Sequence, residues 1–269
     1  MSEGNKTRDD AVINLDHARV RLRSRAAEAV PTSLARNLED ICDLLDKGLT
    51  NQARSRLATL LTQARNQPVL LAQARCALST ALEMLGHYRD SLAAVAMYEA
   101  PEARAKLDHA LSTKLRVQIA LAYNYNGDHP KAIALLNATL RELPEEGAEA
   151  GSVYAALARV YRRIAEYIIA RDYSQRALES YRQTGDWRGL SEAYFGLGLA
   201  DVHEGLYENS LKNLEQAAQL IGDHPASFRL GRIYINMAGA CSLLKRPLDG
   251  IAYIEKGIAY LERDRKSVV

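Results

Sequence analysis

The chain of 269 residues is 48% apolar and 25% charged, enough for one large domain or a repeat array with a sizeable core. Its net charge of +2, from 35 basic and 33 acidic side chains, excludes a bulk pull toward nucleic acid or an anionic membrane. No run of about 18 apolar residues offers a membrane span, and Cys42, Cys76 and Cys241 fall at no metal or redox spacing, so a reducing, cytoplasmic setting is expected.

Residues 1–10 are polar, lack the apolar stretch of a signal peptide, and are expected to be disordered. Residues 11–30 read as a basic amphipathic helix with Val12, Leu15 and Leu22 on one side, placed to cover the unit that follows. The arginines at 19, 21, 23 and 25 spread around that helix, and no aromatic residues interleave them. Nucleic acid is therefore not an expected partner.

From residue 34 to 264 helix signals are nearly continuous and strand signals nearly absent. Apolar residues recur at three- and four-residue steps, as in Leu211, Leu214, Ala218 and Ile221, or Ile251, Ile254, Ile258 and Leu261. Pro31, Pro68, Pro101, Pro130, Pro144, Pro225 and Pro247 all fall at proposed junctions, where a ring that breaks a helix interior is tolerated. Helices pair into hairpins with a period. Small residues early in each second helix, at Ala53, Ser91, Ala132, Ala170, Ser210 and Gly250, are spaced by 38, 41, 38, 40 and 40. Their counterparts in the first helices are Ser79, Ala120, Ala158, Gly198 and Ala238. Small residues on both partners let the two backbones approach. Gly48, Gly86, Gly127 and Gly205 mark the turns, where a glycine takes the positive φ that ends a helix. Ala165 and Lys245 replace it in two units, whose turns are expected to be built differently.

The fourth unit reads Tyr154, Leu157-Ala158, Tyr161, then Ala170. The third reads Ile119-Ala120, Tyr123, Ala132 and Leu136; the fifth reads Tyr194, Leu197-Gly198 and Ser210, with Asp201 at the tyrosine place. The sixth reads Tyr234, Met237-Ala238 and Gly250, with Cys241 there. Residues 34–264 thereby resemble the tetratricopeptide repeat family, in a form with a period of about 40 residues. The resemblance implies an all-α, right-handed superhelix of about six antiparallel hairpins around a concave groove. It also implies a non-catalytic module that binds a protein or peptide partner. The alternative is a regulatory or sensor domain of a larger bacterial signalling or transcription regulator.

Catalytic signatures are missing: there is no phosphate-binding Gly-x4-Gly-Lys loop, nucleophile elbow or His-Glu-x-x-His helix. Gly196 and Gly198 of "FGLGLA" lie inside a helix and read as close packing rather than a nucleotide loop. The histidines never reach metal-ligand spacing, and no enzyme activity, cofactor or metal is expected. One cluster stands out. Arg159, Arg162 and Arg163 share a helix face, which in this repeat family lines the groove. Two readings stay open: a clamp for an acidic segment, C-terminal carboxylate or phosphate, or a solvated face with Arg162 paired to Glu166. The resemblance adds Lys114, Gln118, Asn124 and Tyr125 from the third hairpin, Phe195 and His203 from the fifth, and Arg232 and Asn236 from the sixth. The amides among them suit a peptide backbone. Tyr253 and Tyr260, on the last helix, are expected to be exposed, and a homodimer through that repeat or a missing downstream domain would cover them.

Overall fold

Each turn expected from sequence does end a helix. The computed structural model describes residues 33–144, 147–222 and 228–266, with side chains through Leu261. The expected disordered segment 1–10 and helix 11–30 lie outside the described residues; of the tail expected at 265–269, residues 265 and 266 end the last helix and 267–269 lie outside the described residues.

Thirteen α-helices and no strand are found among the described residues. They form six hairpins: α1 (Ser33–Asp46) with α2 (Thr50–Gln63), α3 (Pro68–Met84) with α4 (Tyr88–Val95), and, after the single turn α5 (Pro101–Arg104), α6 (His109–Tyr125) with α7 (His129–Leu140). There follow α8 (Ala148–Arg163) with α9 (Tyr167–Thr184), α10 (Trp187–His203) with α11 (Tyr207–Ile221), and α12 (Phe228–Leu243) with α13 (Pro247–Lys266). Successive hairpins stack into an all-α solenoid. Among the described residues no helix is long and apolar enough to cross a membrane.

Local chemistry sets the boundaries. Asp108 accepts from Leu111 N at 2.7 Å, Asp128 from Lys131 N at 3.1 Å, and Asp186 from Arg188 N at 3.0 Å, each satisfying a free N–H of a first turn. The six turns within hairpins are alike, which corrects one expectation. Ala165 (φ 65°) and Lys245 (φ 58°) adopt the same left-handed conformation as Gly48, Gly86, Gly127 and Gly205. His87 N donates to Leu82 O at 2.8 Å, Glu166 N to Tyr161 O at 2.9 Å, and Arg246 N to Cys241 O at 2.9 Å. That closing bond, with the docking of the next helix, overrides a Cβ penalty of about 1–2 kcal/mol.

The small-residue register is where helices touch. Ala53, Ser91, Ala132 and Ser210 have no exposed surface. Ser79 Oγ lies 2.8 Å from Ser91 Oγ, and Ser210 Oγ donates to Gly198 O at 2.7 Å. A Cβ on Gly198 would stand 2.7 Å from Leu214 Cγ, so its lack of a side chain is what seats α11 against α10. Leu57, Leu115, Ile119, Leu136, Leu157 and Leu214 fill the seam between hairpins and are fully buried. The tyrosine-rich composition serves that seam: Tyr173 stacks between Tyr154 and Tyr161 at 6.2 and 5.5 Å. Asp201, at the tyrosine place of the fifth unit, is 1% exposed, 3.0 Å from Arg171 Nε, and accepts from Asn213 Nδ2 at 2.7 Å.

The two ends differ. Neither α1 nor α2 exposes a large apolar side chain, whereas α13 exposes Leu248 (81%), Ile251 (53%), Ile254 (45%) and Ile258 (46%). Tyr253 and Tyr260 are not the exposed groups expected. They are half-buried and stack on Tyr234 at 6.1 and 5.7 Å, since the aromatic side of α13 turns toward α12 and leaves the isoleucines outside. The superhelix also closes on itself. Arg188 of α10 reaches Asp46 of α1 at 3.4 Å, and a Cβ on Gly48 would lie 3.0 Å from Phe228 Cδ2.

Candidate functional site

Because the ends meet, the first helices of the hairpins surround a concave cavity of about 400 Å³. Its wall includes Asp46 of α1, Glu83 of α3, Tyr125 of α6, Arg159 of α8, Glu192 and Phe195 of α10, and Arg229 and Arg232 of α12. The size is that of a small-ligand or peptide pocket rather than of a surface for a folded domain.

Charge in this cavity is organised around one carboxylate. Glu192 Oε1 accepts from Arg159 at 2.6 Å, and Glu192 Oε2 lies 4.0 Å from Arg229. Burial alone would raise the Glu192 carboxyl, but Arg159, Arg229 and Arg232 outweigh it and hold it at about 2. Arg159 is correspondingly pushed up: burial works against its charge, and Glu192, Tyr125 and Glu83 overcome it. Arg162, half-buried, is pushed down by burial and by Arg159 beside it. It makes no ion pair with Glu166, the bond that the solvated-face reading supposed. Three further cations thus stand near a carboxylate already committed to Arg159. An anion entering here meets more fork-shaped donors than the single Glu192 carboxylate satisfies.

The residues expected from sequence divide into two groups. Arg159, Tyr125, Phe195 and Arg232 line the cavity, and Arg162 lines a small recess with Arg159, Glu192 and Phe195. The Arg232 guanidinium sits 5.3 Å over the Phe195 ring. Arg163 is exposed and lies 5.2 Å over the Tyr125 ring, outside the cavity wall. Gln118 is buried and already donates to Ser79 Oγ at 3.1 Å and Glu83 Oε1 at 2.8 Å, so its amide is not free for a peptide. Asn124 has no exposed surface, and its Oδ1 lies 2.9 Å from His129 Nδ1. Asn236 Nδ2 donates to Arg232 O of its own helix at 2.8 Å. His203 stacks on Tyr167 at 4.1 Å near the hairpin turn, and Lys114 is exposed without lining the cavity.

Glu83, Glu192, Arg229, Asp46 and Phe228 were missed. A signal existed for two of them: Glu192 precedes Phe195 by one helical step, and Arg229 precedes Arg232. Asp46 and Phe228 carried none, since only closure of the superhelix brings them in. Burial pushes the Cys76 thiol up to about 11, and among the described residues no three or more His, Cys, Asp or Glu are grouped so as to hold a metal ion.

No protein-family model matches the chain, and no curated protein matches it. Solved structures do. BtubC from P. vanneervenii superposes with a TM-score of 0.58 at 17% identity, over 88% of this chain and 92% of that one. A signal-transduction ATPase with a tetratricopeptide repeat sensor, from Pyrococcus horikoshii, reaches 0.60 at 18% identity, over 79% of this chain and 32% of that one. A Rap protein complexed with competence and sporulation factor reaches 0.56 at 16% identity, over 86% and 66%. At these identities the likeness is one of fold, and the fold is that of tetratricopeptide repeat proteins.

Proposed function

We propose that this tetratricopeptide-type solenoid is a non-catalytic binding module that holds an acidic segment of a partner in its concave cavity. The observation that carries the reading is the surplus of guanidinium groups, Arg162, Arg229 and Arg232, beside a Glu192 carboxylate already bonded to Arg159. Phe195 and Tyr125 supply flat apolar walls next to those charges. A carboxylate-bearing segment satisfies the cations and covers the rings together, whereas a basic one meets repulsion. The test is a peptide array probed with the wild-type chain and with Arg162→Ala/Arg229→Ala/Arg232→Ala. Enrichment of acidic peptides by the wild type and its loss in the variant are expected. No preference for acidic sequences, or the same preference in both proteins, contradicts the reading. A sensory role in a larger regulator draws on the same cavity, since an occupant touches helices from both ends of the array.

The stripe on α13 favours a second association, with another copy of this chain. Leu248, Ile251 and Ile258 are exposed, and Ala252 and Ala259 among them allow close helix approach. Glu255 and Lys256 are adjacent and exposed, so antiparallel pairing sets each against its opposite in the partner copy. Sedimentation equilibrium is expected to show a dimer that Ile251→Glu/Ile258→Glu converts to a monomer. A wild-type monomer rules the association out.

A further inference from the structure

Glu83 is the exception among the cavity's acids. Asp46 is held by Arg188 at 3.4 Å, and Glu192 by Arg159 at 2.6 Å. Among the described residues Glu83 has no cation within ion-pair distance: it accepts from Gln118 Nε2 at 2.8 Å and from Ser91 Oγ at 3.3 Å. The groups facing it are Ser91 of α4, Gln118 of α6 and, as the one charge, Arg159 of α8. Burial outweighs all of these and pushes its carboxyl up to about 7. A carboxylate kept in such a place without a cation is unfavourable for the empty protein. The cavity therefore carries on α3 an acid without an ion-pair partner, and on α8 and α12 more guanidinium groups than the Glu192 carboxylate satisfies.

Resting on the groove reading above, we propose that the occupant is a short free peptide lying across the cavity. Its carboxylate meets Arg162, Arg229 and Arg232, and its terminal ammonium meets Glu83. The volume of about 400 Å³ suits such a ligand. Tyr88 and Tyr125, stacked at 5.2 Å, line the same cavity with Phe195 and Phe228 and offer apolar wall to the body of such a peptide. An ammonium gives Glu83 the counter-charge its neighbours lack, and the proton on the carboxyl leaves as the cation arrives. A segment running through a longer partner has no terminal ammonium to offer and leaves Glu83 unmatched.

The test begins with selection from a synthetic library of short peptides with free termini. The retained peptide is then titrated by calorimetry in free, N-acetylated and C-amidated forms. Proteins compared are the wild type, Glu83→Gln and Arg162→Gln/Arg232→Gln. Glutamine preserves the acceptor that Gln118 and Ser91 use, so the fold is expected to survive, as circular dichroism will show. In the wild type N-acetylation is expected to weaken binding by roughly tenfold to a hundredfold, the worth of a charged hydrogen bond. In Glu83→Gln it is expected to change little. Wild-type affinity should fall as pH drops from 7.5 to 6, while that of Glu83→Gln stays flat. An N-acetylated peptide that binds as well as the free one, yet still needs the arginines, overturns the Glu83 assignment and leaves the groove reading standing. Binding indifferent to both N-acetylation and the arginine changes overturns both. A library that yields nothing overturns the short-peptide proposal, and the peptide array then decides the wider one.

Discussion

At the scale of single residues, backbone and charge make separate demands. Ala165 and Lys245 hold left-handed conformations that a Cβ disfavours, inside turns whose hydrogen bonds match those of the glycine turns. Ala165→Gly and Lys245→Gly are each expected to raise stability by about 0.5–1 kcal/mol, the strain relieved less the entropy that glycine adds to the unfolded chain. Urea denaturation checks this, and an unchanged midpoint contradicts it. Glu83 makes the opposite kind of demand. Its folded carboxyl is raised to about 7 by burial, so between the unfolded carboxylate range and pH 7 the folded state binds the extra proton. Stability from this group therefore falls as pH rises through that window and levels off above it. Glu83→Gln is expected to stabilise the protein by about 3 kcal/mol at pH 8 and by almost nothing at pH 4. Equal effects at both values would show that burial does not govern this carboxyl. Glu192 runs the other way: held at about 2, it contributes stability that is full above the unfolded carboxylate range and is lost progressively as pH falls from there through about 2.

At the scale of elements, the hairpin was legible because its contacts repeat. Ser91, Ala132 and Ser210 recur at one register in sequence and are fully buried in the structure. A close approach of two helices needs a small residue whatever surrounds it. Gly198 shows the rule at its limit: Gly198→Val is expected to cost about 1–3 kcal/mol by forcing Leu214 and the Ser210 backbone away, measurable as a lower melting temperature. The site was less legible, since its pairs obey no period. Arg159 and Glu192 come from neighbouring hairpins, and nothing in either stretch announces the other. Amide chemistry misled for a related reason. Gln118 and Asn124 sit where a groove residue belongs by register, but Ser79 and Glu83 of the preceding hairpin claim the first and His129 of its own hairpin the second. The turn at Ala165 was misread because local propensity yields to the docking of the helix that follows.

At the scale of the whole molecule, six hairpins bring the ends of the chain's superhelix together, and that closure turns a groove into a cavity. Sequence reasoning stops short of it: Asp46 and Arg188 are far apart in the chain, and the curvature that joins them is the sum of many small inter-hairpin rotations. Reversing the contact with Arg188→Glu places two carboxylates together. It is expected to increase the radius of gyration seen by small-angle scattering while leaving helix content unchanged. An unaltered radius would mean that packing alone, including Phe228 against Gly48, closes the ring. The central claim is that the guanidinium groups on α8 and α12 make this cavity a receptor for acidic chains. Its most direct test is calorimetric titration of the tightest array-selected acidic peptide into the wild type and into Arg162→Ala/Arg229→Ala/Arg232→Ala, at low and at moderate salt. The account expects wild-type affinity to weaken with salt and the variant to lose at least about tenfold, the worth of one charge-assisted bond. Equal affinity in the two proteins would contradict it.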